Sequence, residues 1–442
     1  MISFKDSLIK LCLLLGDMLG VFISICIAYM LQSELESFFS FYSQSPMQMY
    51  TTNIVIYLIV AVVFYNEKLY KYRFDFWEET RLVLRGLGVS LVLVLSILAL
   101  SKSVEDYSRF IIVFSFVFMA LLIPIVKNIL KKRLFKLGVW ERKAEVCGSD
   151  KSIKEEIFGN AYLGYVHTNQ TDAETIFIDT VNLSSDELQK RLDVSLTEKK
   201  EVLFMPLVQT YNFANARIIE LSNARKNLIV LENSLLKQSN IWIKKISDFC
   251  LSVMLFPLLL FIFVLIIVLM KKEEPRGAIF FKQKRMGRDG KSFVCYKFRS
   301  MYENGDEVLD AYLKEHPHEI ECYDKYHKYK NDPRITKIGR IMRKTSLDEL
   351  PQIINVLKGE MSLIGPRPYM FNEKNKIGDK LDMVLAVKPG ITGLWQVSGR
   401  SDVDFHERVD IDVWYTRNWN LWLDLVILVK TMKVVLLRKG AS

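Results

Sequence analysis

Long apolar runs separated by short polar connections dominate the first third of the chain. Four such runs, at residues 8–31, 53–65, 82–100 and 110–126, contain few charged side chains. A helix needs about 20 mostly apolar residues to cross the hydrocarbon core of a bilayer, so the first, third and fourth runs predict spanning helices. The second run reaches that length only if its flanks join the helix. The pattern predicts a four-helix transmembrane bundle over residues 1–136.

The charges that flank these runs predict an orientation. Lysine and arginine precede the first run, crowd the connection between the second and third, and follow the fourth, whereas residues 32–52 contain neither. Because basic loops stay on the cytoplasmic side, the N-terminus and everything after the fourth helix are predicted to be cytoplasmic. Asp17 lies inside the first run. It is either a functional carboxylate or one that a neighbouring helix satisfies.

A different rhythm follows between residues 144 and 231. Short apolar stretches (AEVCGS, TIFIDT, EVLFMP and NLIVLE) alternate with polar, helix-like ones such as SSDELQKRL and TYNFANARIIELSNA. This alternation is typical of an α/β layer with parallel strands. No GxGxxG follows the first strand, so a glycine-rich phosphate turn is not supported. We predict a Rossmann-like cytoplasmic α/β domain over residues 137–240 with a structural or regulatory role.

A fifth apolar run, at residues 246–270, is long enough to span the bilayer but contains Pro257 near its middle. Lysines or arginines flank it on both sides. A simple crossing would place one basic flank on the wrong side of the membrane, whereas a helix broken at the proline can enter and return on the same face. We therefore predict a re-entrant helix.

The segment that follows, residues 271–300, is rich in lysine and arginine. Attraction to anionic lipid headgroups explains part of this charge. Within it, the alternation of YKFRSM (residues 296–301) is that of a strand, which would direct Lys297 and Arg299 to the same face. Two cations on one face suit the recognition of phosphate.

Adjacent carboxylates, Asp348 and Glu349, come next in SLDELPQIINVLKGEMSLIGPRP. Pro351 fits only the first turn of a helix, which predicts that Asp348 lies at or next to the helix N-cap. Arg343 precedes the pair. This arrangement suits chemistry in which one carboxylate attacks or holds Mg²⁺ while arginines neutralise a diphosphate. The alternative is an ordinary acidic helix start paired to surface arginines.

Three motifs, KFRSM, SLDELPQIINVLKGEMSLIGPRP and PGITGLWQVSGR, occur in this order and closely resemble those of the bacterial sugar transferases. These are the polyprenol-phosphate hexose-1-phosphate transferases, or monotopic phosphoglycosyl transferases. The resemblance extends from about residue 240 to the end. It implies a catalytic domain over residues 241–442, with the re-entrant helix and interfacial amphipathic helices. The four preceding helices and the α/β module resemble the large form of the family, in which a homodimer is expected.

The resemblance also implies a reaction: transfer of a hexose-1-phosphate from a UDP-sugar to undecaprenyl phosphate, with release of UMP. Galactose-1-phosphate is favoured over glucose-1-phosphate. Asp348 would be the nucleophile that carries the phosphosugar, and Glu349 would assist it, both carboxylates acting with Mg²⁺. The product would start an O-antigen, capsule or exopolysaccharide at the cytoplasmic face of the bacterial inner membrane.

Further residues take roles by the same resemblance. The expected phosphate-binding residues are Arg343 and Arg367, with Lys297 and Arg299 as additional contacts. The expected nucleotide or sugar pocket involves Gly393, Trp395, Gln396 and Arg400, although packing is a rival explanation for Trp395. The prolines expected to shape the backbone are Pro257, Pro351, Pro366 and Pro368.

Two other features complete the predictions. The C-terminal segment carries Trp414, Tyr415, Trp419 and Trp422 beside an apolar run, which predicts a helix in the membrane interface. A cluster of possible zinc ligands, His316, His318, Cys322 and His327, fits no common zinc spacing, so a solvated helical insert is favoured there.

Composition fits a membrane enzyme. Half of the residues are hydrophobic and the formal net charge is +10, a balance that beside long apolar runs indicates the cytoplasmic face of a bilayer and not a nucleic-acid partner. The six cysteines show no CxxC spacing and are expected to be reduced. A non-catalytic scaffold would be expected to lose the acidic pair, and a transporter to carry polar residues inside its helices.

Overall fold

The computed structural model describes residues 4–35, 45–101, 107–148, 151–180, 183–198, 201–205, 216–221, 226–230, 235, 237–315, 332–398 and 404–437. The chain forms two compact units, Met1–Gln209 and Thr210–Ser442. The predicted division into residues 1–136, 137–240 and 241–442 stays a prediction.

The first unit combines long helices with a small sheet. Its helices are α1 (Phe4–Leu35), α2 (Met47–Thr51), α3 (Ile54–Asn66), α4 (Phe76–Leu100), α5 (Arg109–Lys136), α6 (Lys151–Gly159) and α7 (Ser185–Thr197). Its strands are β1 (Arg142–Cys147), β2 (Tyr165–His167), β3 (Thr175–Ile178) and β4 (Glu201–Phe204).

Four stretches of this unit are long and apolar enough to cross a membrane, which confirms the four predicted spans. They are Lys5–Leu35, Met47–Asn66, Phe76–Leu100 and Arg109–Lys136. The second span reaches sufficient length because α2 extends it beyond the apolar run. Large apolar side chains such as Leu19, Leu58 and Leu121 are more than half exposed. An apolar outer surface of this kind is typical of helices whose solvent is lipid.

A cluster of four charged side chains is buried where α1, α4 and α5 meet. Asp17, Glu79, Lys127 and Lys131 are each at most 1% exposed. The Lys127 Nζ lies 3.0 Å from Asp17 Oδ2 and 3.3 Å from Glu79 Oε1, and the Lys131 ammonium group donates to Glu79. Two carboxylates and two ammonium groups leave the cluster neutral, which offsets the cost of burying each charge. Asp17 is therefore paired with Lys127 of a neighbouring helix, in keeping with the structural interpretation of this residue.

Side chains outside the spans complete the cluster. The Tyr162 hydroxyl, in the connection between α6 and β2, donates to Glu79 Oε2 at 2.7 Å, and the Tyr70 hydroxyl donates to Asp17 Oδ2 at 2.7 Å. Nearby, the Arg73 guanidinium donates to the Leu163 carbonyl at 2.8 Å and lies 3.9 Å from the centre of the Trp140 ring. These contacts join the helical bundle to the α/β layer.

The layer itself is a four-stranded sheet with the order β2-β1-β3-β4, and all neighbouring strands are parallel. The predicted parallel α/β layer is therefore present over β1 to β4. The assignment of this layer to a Rossmann-like module stays a prediction.

The second unit contains nine helices and six strands within the residues that the structure describes. The helices are α8 (Gln238–Glu273), α9 (Gly305–Glu315), α10 (Lys337–Thr345), α11 (Gln352–Leu357), α12 (Lys374–Ile377), α13 (Leu381–Leu385), α14 (Leu394–Ser398), α15 (Phe405–Asn418) and α16 (Leu421–Leu437). The strands are β5 (Arg217–Leu221), β6 (Lys226–Val230), β7 (Phe280–Met286), β8 (Ser292–Phe298), β9 (Ser362–Ile364) and β10 (Gly390–Thr392).

One part of the predicted α/β rhythm is wrong. The stretch predicted as helical before NLIVLE contains strand β5, and β6 pairs with it antiparallel in a separate two-stranded sheet. Two adjacent β-branched residues, Ile218 and Ile219, favour extended backbone. The four residues that join the two strands are too few for a parallel crossover, so a hairpin is the arrangement they allow.

Helix α8 contains the fifth apolar run and is bent by 56° where its two parts, Gln238–Pro257 and Leu259–Glu273, meet. A proline inside a helix removes one backbone hydrogen bond and clashes with the preceding turn, which explains a bend at Pro257. The helix–break–helix shape is thus present. A bend of this size suits either a broken span or a re-entrant helix.

Polar contacts hold α8 against the core of the second unit. Lys244 Nζ donates to Asp424 Oδ2 at 2.7 Å, and Asp248 Oδ2 accepts from Ser362 Oγ at 2.7 Å. Asp424 also accepts from the Tyr415 hydroxyl at 2.7 Å and from Trp419 Nε1 at 2.9 Å.

Two aromatic residues of the C-terminal segment do not lie where the sequence suggested. Tyr415 and Trp419 were expected at the membrane interface, but both are buried and pack in the core with Ile353, Leu363 and Ile427. A buried hydroxyl or indole N–H needs a partner, and Asp424 provides one for each. The interfacial placement of the C-terminal helix stays a prediction.

We expect the neutral charge cluster to stabilise the first unit. The substitution Glu79→Gln leaves two buried lysines opposite one carboxylate. It should lower the free energy of unfolding by ~3–5 kcal/mol. Thermal unfolding of the full chain in detergent should show a melting temperature lowered by roughly 10 °C. The control is Glu78→Gln, which removes a carboxylate that is 35% exposed and paired to Arg81; its effect should stay within about 1 kcal/mol. Equal melting temperatures for the two variants would contradict this role.

Candidate active site

The adjacent carboxylates lie in a tight turn between two helices. Asp348 and Glu349 belong to a 3₁₀ turn, Leu347–Glu349, that follows Ser346 in a left-handed conformation at φ 56°. Pro351, and not Asp348, occupies the N-cap position of α11. The predicted N-cap placement of Asp348 is therefore wrong. Ser346 ends α10 and starts a separate turn, and α11 begins only at Gln352, after Pro351, whose ring fixes its own φ at −61°.

Lys297 reaches this turn from strand β8. Its Nζ donates to Glu349 Oε1 at 2.6 Å, with both side chains a little over a quarter exposed. Burial and the neighbouring Glu349 carboxylate raise the pKa of Asp348 to about 6, against the opposing effect of Lys297 and Arg343. The two carboxylates therefore differ in their environments. Glu349 is bonded to a cation, whereas burial and the adjacent negative charge disfavour the ionised form of Asp348.

A buried asparagine positions Lys297 beside the turn. Asn355, in α11, is fully buried; its Nδ2 donates to the Val294 carbonyl and to Glu360 Oε2, both at 2.7 Å. Its Oδ1 accepts from the Tyr296 backbone N–H at 3.2 Å. These bonds fix α11 to β8. Sequence reasoning missed Asn355, although an amide among the apolar positions of a short helix is a usable signal.

Arg343 is held at the end of α10. Its Nε donates to Ser300 Oγ at 2.9 Å. The Ser300 carbonyl lies so close to α10 that a Cβ on Gly339 would be 2.1 Å from it, so this position needs glycine. Glu273, at the end of α8, accepts from the Lys337 and Ile338 backbone N–H groups and caps the start of α10. The KFRSM motif therefore positions Arg343 through its serine.

The structure does not bring Arg299 to the carboxylates. Strand β8 ends at Phe298, so the alternation that would place Arg299 beside Lys297 stops one residue earlier. Arg299 NH2 lies 2.7 Å from Glu274 Oε2, and its Nε donates to the Ala278 carbonyl at 2.6 Å. Its predicted role in phosphate binding has no support from this placement.

The GPRP and PGITG motifs are packed backbone to backbone. The Gly365 N–H donates to the Thr392 carbonyl at 2.9 Å, and the Gly390 N–H donates to the Pro366 carbonyl at 2.8 Å. A Cβ on Gly390 would lie 2.1 Å from the Gly365 nitrogen. Glycine at these positions lets β9 and β10 meet, and this contact fixes the turn that carries Arg367.

A buried carboxylate holds the same turn. Asp412 Oδ2 accepts from the Arg367 backbone N–H at 3.1 Å and from the Tyr369 hydroxyl at 2.9 Å. Burial raises the pKa of Asp412 to about 7. Sequence reasoning missed Asp412, because its spacing to the motif becomes meaningful only once α15 is packed on the turn.

These elements enclose a pocket of about 150 Å³. It is lined by Arg285, Cys295, Lys297, Glu349, Gln352, Arg367, Pro368, Ile391, Trp395 and Gln396. The predicted residues Lys297, Glu349, Arg367, Trp395 and Gln396 are thus brought together, and Arg400 lies outside the described residues. Arg285, Cys295 and Gln352 were not predicted. Arg285 and Cys295 lie on the same face of the β7–β8 hairpin as Lys297. The alternation of side chains along these strands is the signal that could have found them.

Trp395 both packs and borders the pocket. The Arg367 and Arg408 guanidinium carbons lie 5.9 and 5.1 Å from the centre of its ring. Its buried Nε1 has no hydrogen-bond partner within the described part of the chain. The residue therefore presents an unused donor next to Arg367.

Asp348 and Glu349 are also the predicted Mg²⁺ ligands. Across the described ranges, no group of three or more His, Cys, Asp or Glu side chains could hold a metal. Two carboxylates still fit Mg²⁺, which usually takes one or two from the protein and fills its other positions with water and phosphate. Lys297 bonds only one oxygen of Glu349. The residues of the rejected zinc cluster, His316, His318, Cys322 and His327, lie outside the described residues.

Comparison with known proteins places this site in a wider group. A family model described as bacterial sugar transferase matches residues 239–438, which include the whole pocket. Undecaprenyl-phosphate galactose phosphotransferase of Salmonella typhimurium is 34% identical over 99% of this chain and 98% of its own length. UDP-galactose-lipid carrier transferase of Erwinia amylovora is 32% identical over the same shares.

A third relative, UDP-glucose:undecaprenyl-phosphate glucose-1-phosphate transferase of Klebsiella pneumoniae, is 33% identical over 66% of this chain and 63% of its own length. The two more extensive matches cover both units and not the pocket alone. Similarity of this extent, with the family match across the carboxylate turn and both glycine-linked motifs, shows that the chain belongs to the bacterial sugar transferase family.

Proposed function

We propose that this chain transfers a hexose-1-phosphate, favouring galactose-1-phosphate, from a UDP-sugar to undecaprenyl phosphate. The products are undecaprenyl-diphosphate-sugar and UMP. The observation that carries the proposal is the Asp348–Glu349 turn at the edge of a pocket that arginines line. Lys297 Nζ lies 2.6 Å from Glu349 Oε1 in this turn. The two relatives that match the whole chain, both named for galactose, favour that sugar over the glucose named for the Klebsiella enzyme.

The reaction proceeds in two displacements at the same phosphorus. An oxygen of the Asp348 carboxylate attacks the phosphorus that bears the sugar, and the bond from that phosphorus to the bridging oxygen breaks. UMP leaves with the bridging oxygen and its electron pair, and the phosphosugar stays on Asp348. An oxygen of undecaprenyl phosphate then attacks the same phosphorus, which releases the Asp348 carboxylate and forms the lipid diphosphate.

Neighbouring residues support both steps. Lys297 holds Glu349 beside the nucleophile, so this carboxylate is placed to orient the incoming groups without carrying the phosphosugar. Arg343 and Arg367 supply positive charge for phosphoryl oxygens, which gain charge as the bonds change. Bound Mg²⁺, held by Asp348 and Glu349, would neutralise diphosphate charge and stabilise the departing phosphate.

The membrane arrangement suits these two substrates. We place the second unit on the cytoplasmic face of the bacterial inner membrane, with α8 re-entrant at Pro257. There a soluble UDP-sugar and the phosphate of a membrane lipid can reach the same carboxylates. The step would begin an O-antigen, capsule or exopolysaccharide, and a homodimer is the expected assembly.

Loss of the nucleophile should abolish the first displacement. Full-length protein in detergent, given Mg²⁺ and UDP-galactose without lipid acceptor, should release about one UMP per chain and gain the mass of a hexose phosphate. Asp348→Asn should lower UMP release by at least ~10³-fold, because an amide is a poor nucleophile. Asp289→Asn, which changes an exposed acid in the β7–β8 turn, is the matched control. Unchanged release by Asp348→Asn, or none by the wild type with UDP-galactose or UDP-glucose, would refute the mechanism.

The raised pKa of Asp348 predicts a pH dependence. Only the ionised carboxylate attacks, so UMP release should fall about tenfold per unit as the pH drops below the pKa of Asp348, which is about 6 in the metal-free site and lower with Mg²⁺ bound beside it. Glu349→Gln removes the neighbouring negative charge that contributes to this shift, so the residual activity of that variant should lose its acidic limb at a lower pH. Initial rates between pH 5 and 8 measure both profiles. An unmoved acidic limb in the variant would show that another group is titrating.

The re-entrant path of α8 predicts where its ends are accessible. In a cysteine-free background, Lys245→Cys and Lys272→Cys should react with a membrane-impermeant maleimide only after spheroplasts are lysed. Both positions are exposed in the structure. Ser101→Cys, at the end of α4, is the control and should react in intact spheroplasts. Labelling of Lys272→Cys from outside would instead indicate a simple span.

A further inference from the structure

Arg285, on strand β7, is a buried cation with no carboxylate within ion-pair distance in the described part of the chain. The residue is 7% exposed. Its NH1 donates to the Pro368 carbonyl at 3.1 Å and its NH2 to Gln283 Oε1 at 2.6 Å. A guanidinium has five N–H donors, so three of them are unused within the described part of the chain. Buried charges are rarely left unpaired, and Arg285 lines the pocket.

A second guanidinium faces the same space. Arg367 also lines the pocket, and no carboxylate within the described residues lies within ion-pair distance of its side chain. Burial and the proximity of Arg367 lower the pKa of Arg285. Glu349, the one acid among the residues that line the pocket, is bonded to Lys297. Two repelling guanidinium groups therefore share a concave site whose one lining acid is already paired with Lys297, which is the electrostatic complement of an anion.

Strand geometry separates Arg285 from the Lys297 end of the pocket. Arg285 is opposite Phe293 and Lys297 is opposite Phe281, so the two cations lie on the same face of the hairpin. Four residues along a strand correspond to roughly 13 Å. Cys295 lies between them, and burial raises the pKa of its thiol to about 11, so it adds no negative charge near neutral pH. Arg285 thus lies at the end of the β7–β8 face away from Lys297, which is bonded to Glu349.

An unpaired amide also indicates a ligand. Gln352 is 1% exposed and lines the pocket, and its Oε1 has no hydrogen-bond partner in the part of the chain that the structure describes. A buried acceptor without a partner costs about 1–3 kcal/mol. A bound molecule that offers a hydroxyl or N–H group would remove that cost.

We propose that Arg285 binds the phosphate that stays with the nucleotide when the phosphosugar is transferred, and that Gln352 accepts a hydrogen bond from the nucleoside of the same molecule. This inference rests on the proposed function. Lys297 and Arg343 flank the carboxylates, where the transferred phosphate must lie. Arg285 enters from the far end of the β7–β8 face, so the charge it meets there is that of the departing UMP.

Binding of UMP and of uridine, measured by calorimetry with the full chain in detergent, tests this assignment. Loss of a charge-assisted hydrogen bond should weaken UMP binding about 10- to 100-fold in Arg285→Gln, with a smaller loss in Arg285→Lys. Uridine has no phosphate, so its affinity for both Arg285 variants should equal its affinity for the wild type. The control is Lys284→Gln, which removes one charge from the exposed face of the same strand and should leave UMP binding unchanged.

The outcomes are distinct. If Arg285→Gln weakens uridine as much as UMP, Arg285 is structural and the inference is wrong. If it weakens UDP but not UMP, Arg285 contacts the transferred phosphate and the assignment is overturned. If the wild type binds neither UMP nor UDP, the proposed function itself fails. If Arg285→Gln weakens UMP binding and leaves uridine binding unchanged, the inference is supported.

Discussion

The site depends on the hydrogen bonds of one buried side chain, Asn355. Its carboxamide joins the backbone of β8 at Val294 and Tyr296 to α11, and so fixes the strand relative to the carboxylate turn. Because strand side chains alternate between faces, a shift of one residue would turn Lys297 away from Glu349 and Cys295 away from the pocket. The 2.6 Å contact between Lys297 and Glu349 therefore follows mainly from the position of β8 against α11, and less from the attraction between the two charges. An ion pair whose side chains are each more than a quarter exposed contributes little stability by itself.

The two units treat buried charge in opposite ways. In the first, Asp17, Glu79, Lys127 and Lys131 balance one another, and the Tyr70 and Tyr162 hydroxyls donate to the same two carboxylates. The charges of that cluster sum to zero. In the second, Arg285 and Arg367 face a pocket whose acid is already bonded to a lysine, and Gln352 keeps an unpaired oxygen. Such imbalance is unfavourable in the empty protein, and the proposed substrate, which carries a diphosphate, would correct it. Charge balance thus separates a structural cluster from a binding site.

Local sequence signals predicted the parts of the structure that depend on local physics. Hydropathy predicted the four spans, the proline at 257 predicted the bend of α8, and the motifs predicted that Lys297, Glu349 and Arg367 converge. Residues whose partners come from distant elements were missed. Asp412 accepts a hydrogen bond from Arg367, which is 45 residues away in the sequence. Arg285 donates to Pro368, which is 83 residues away. Strand β5 was misjudged because its polar neighbours suggested a helix while pairing with β6 determined its conformation.

The contact between Gly365 and Gly390 has a consequence for how this family can vary. A side chain at either position would strike the main chain of the other, at 2.9 Å from the nitrogen of Gly390 or 2.1 Å from that of Gly365. Neither clash is relieved by changing the partner, because the obstacle is backbone and not a replaceable side chain. No compensatory mutation at the partner position can therefore relieve the clash, so any chain that keeps this backbone packing must keep glycine at both positions.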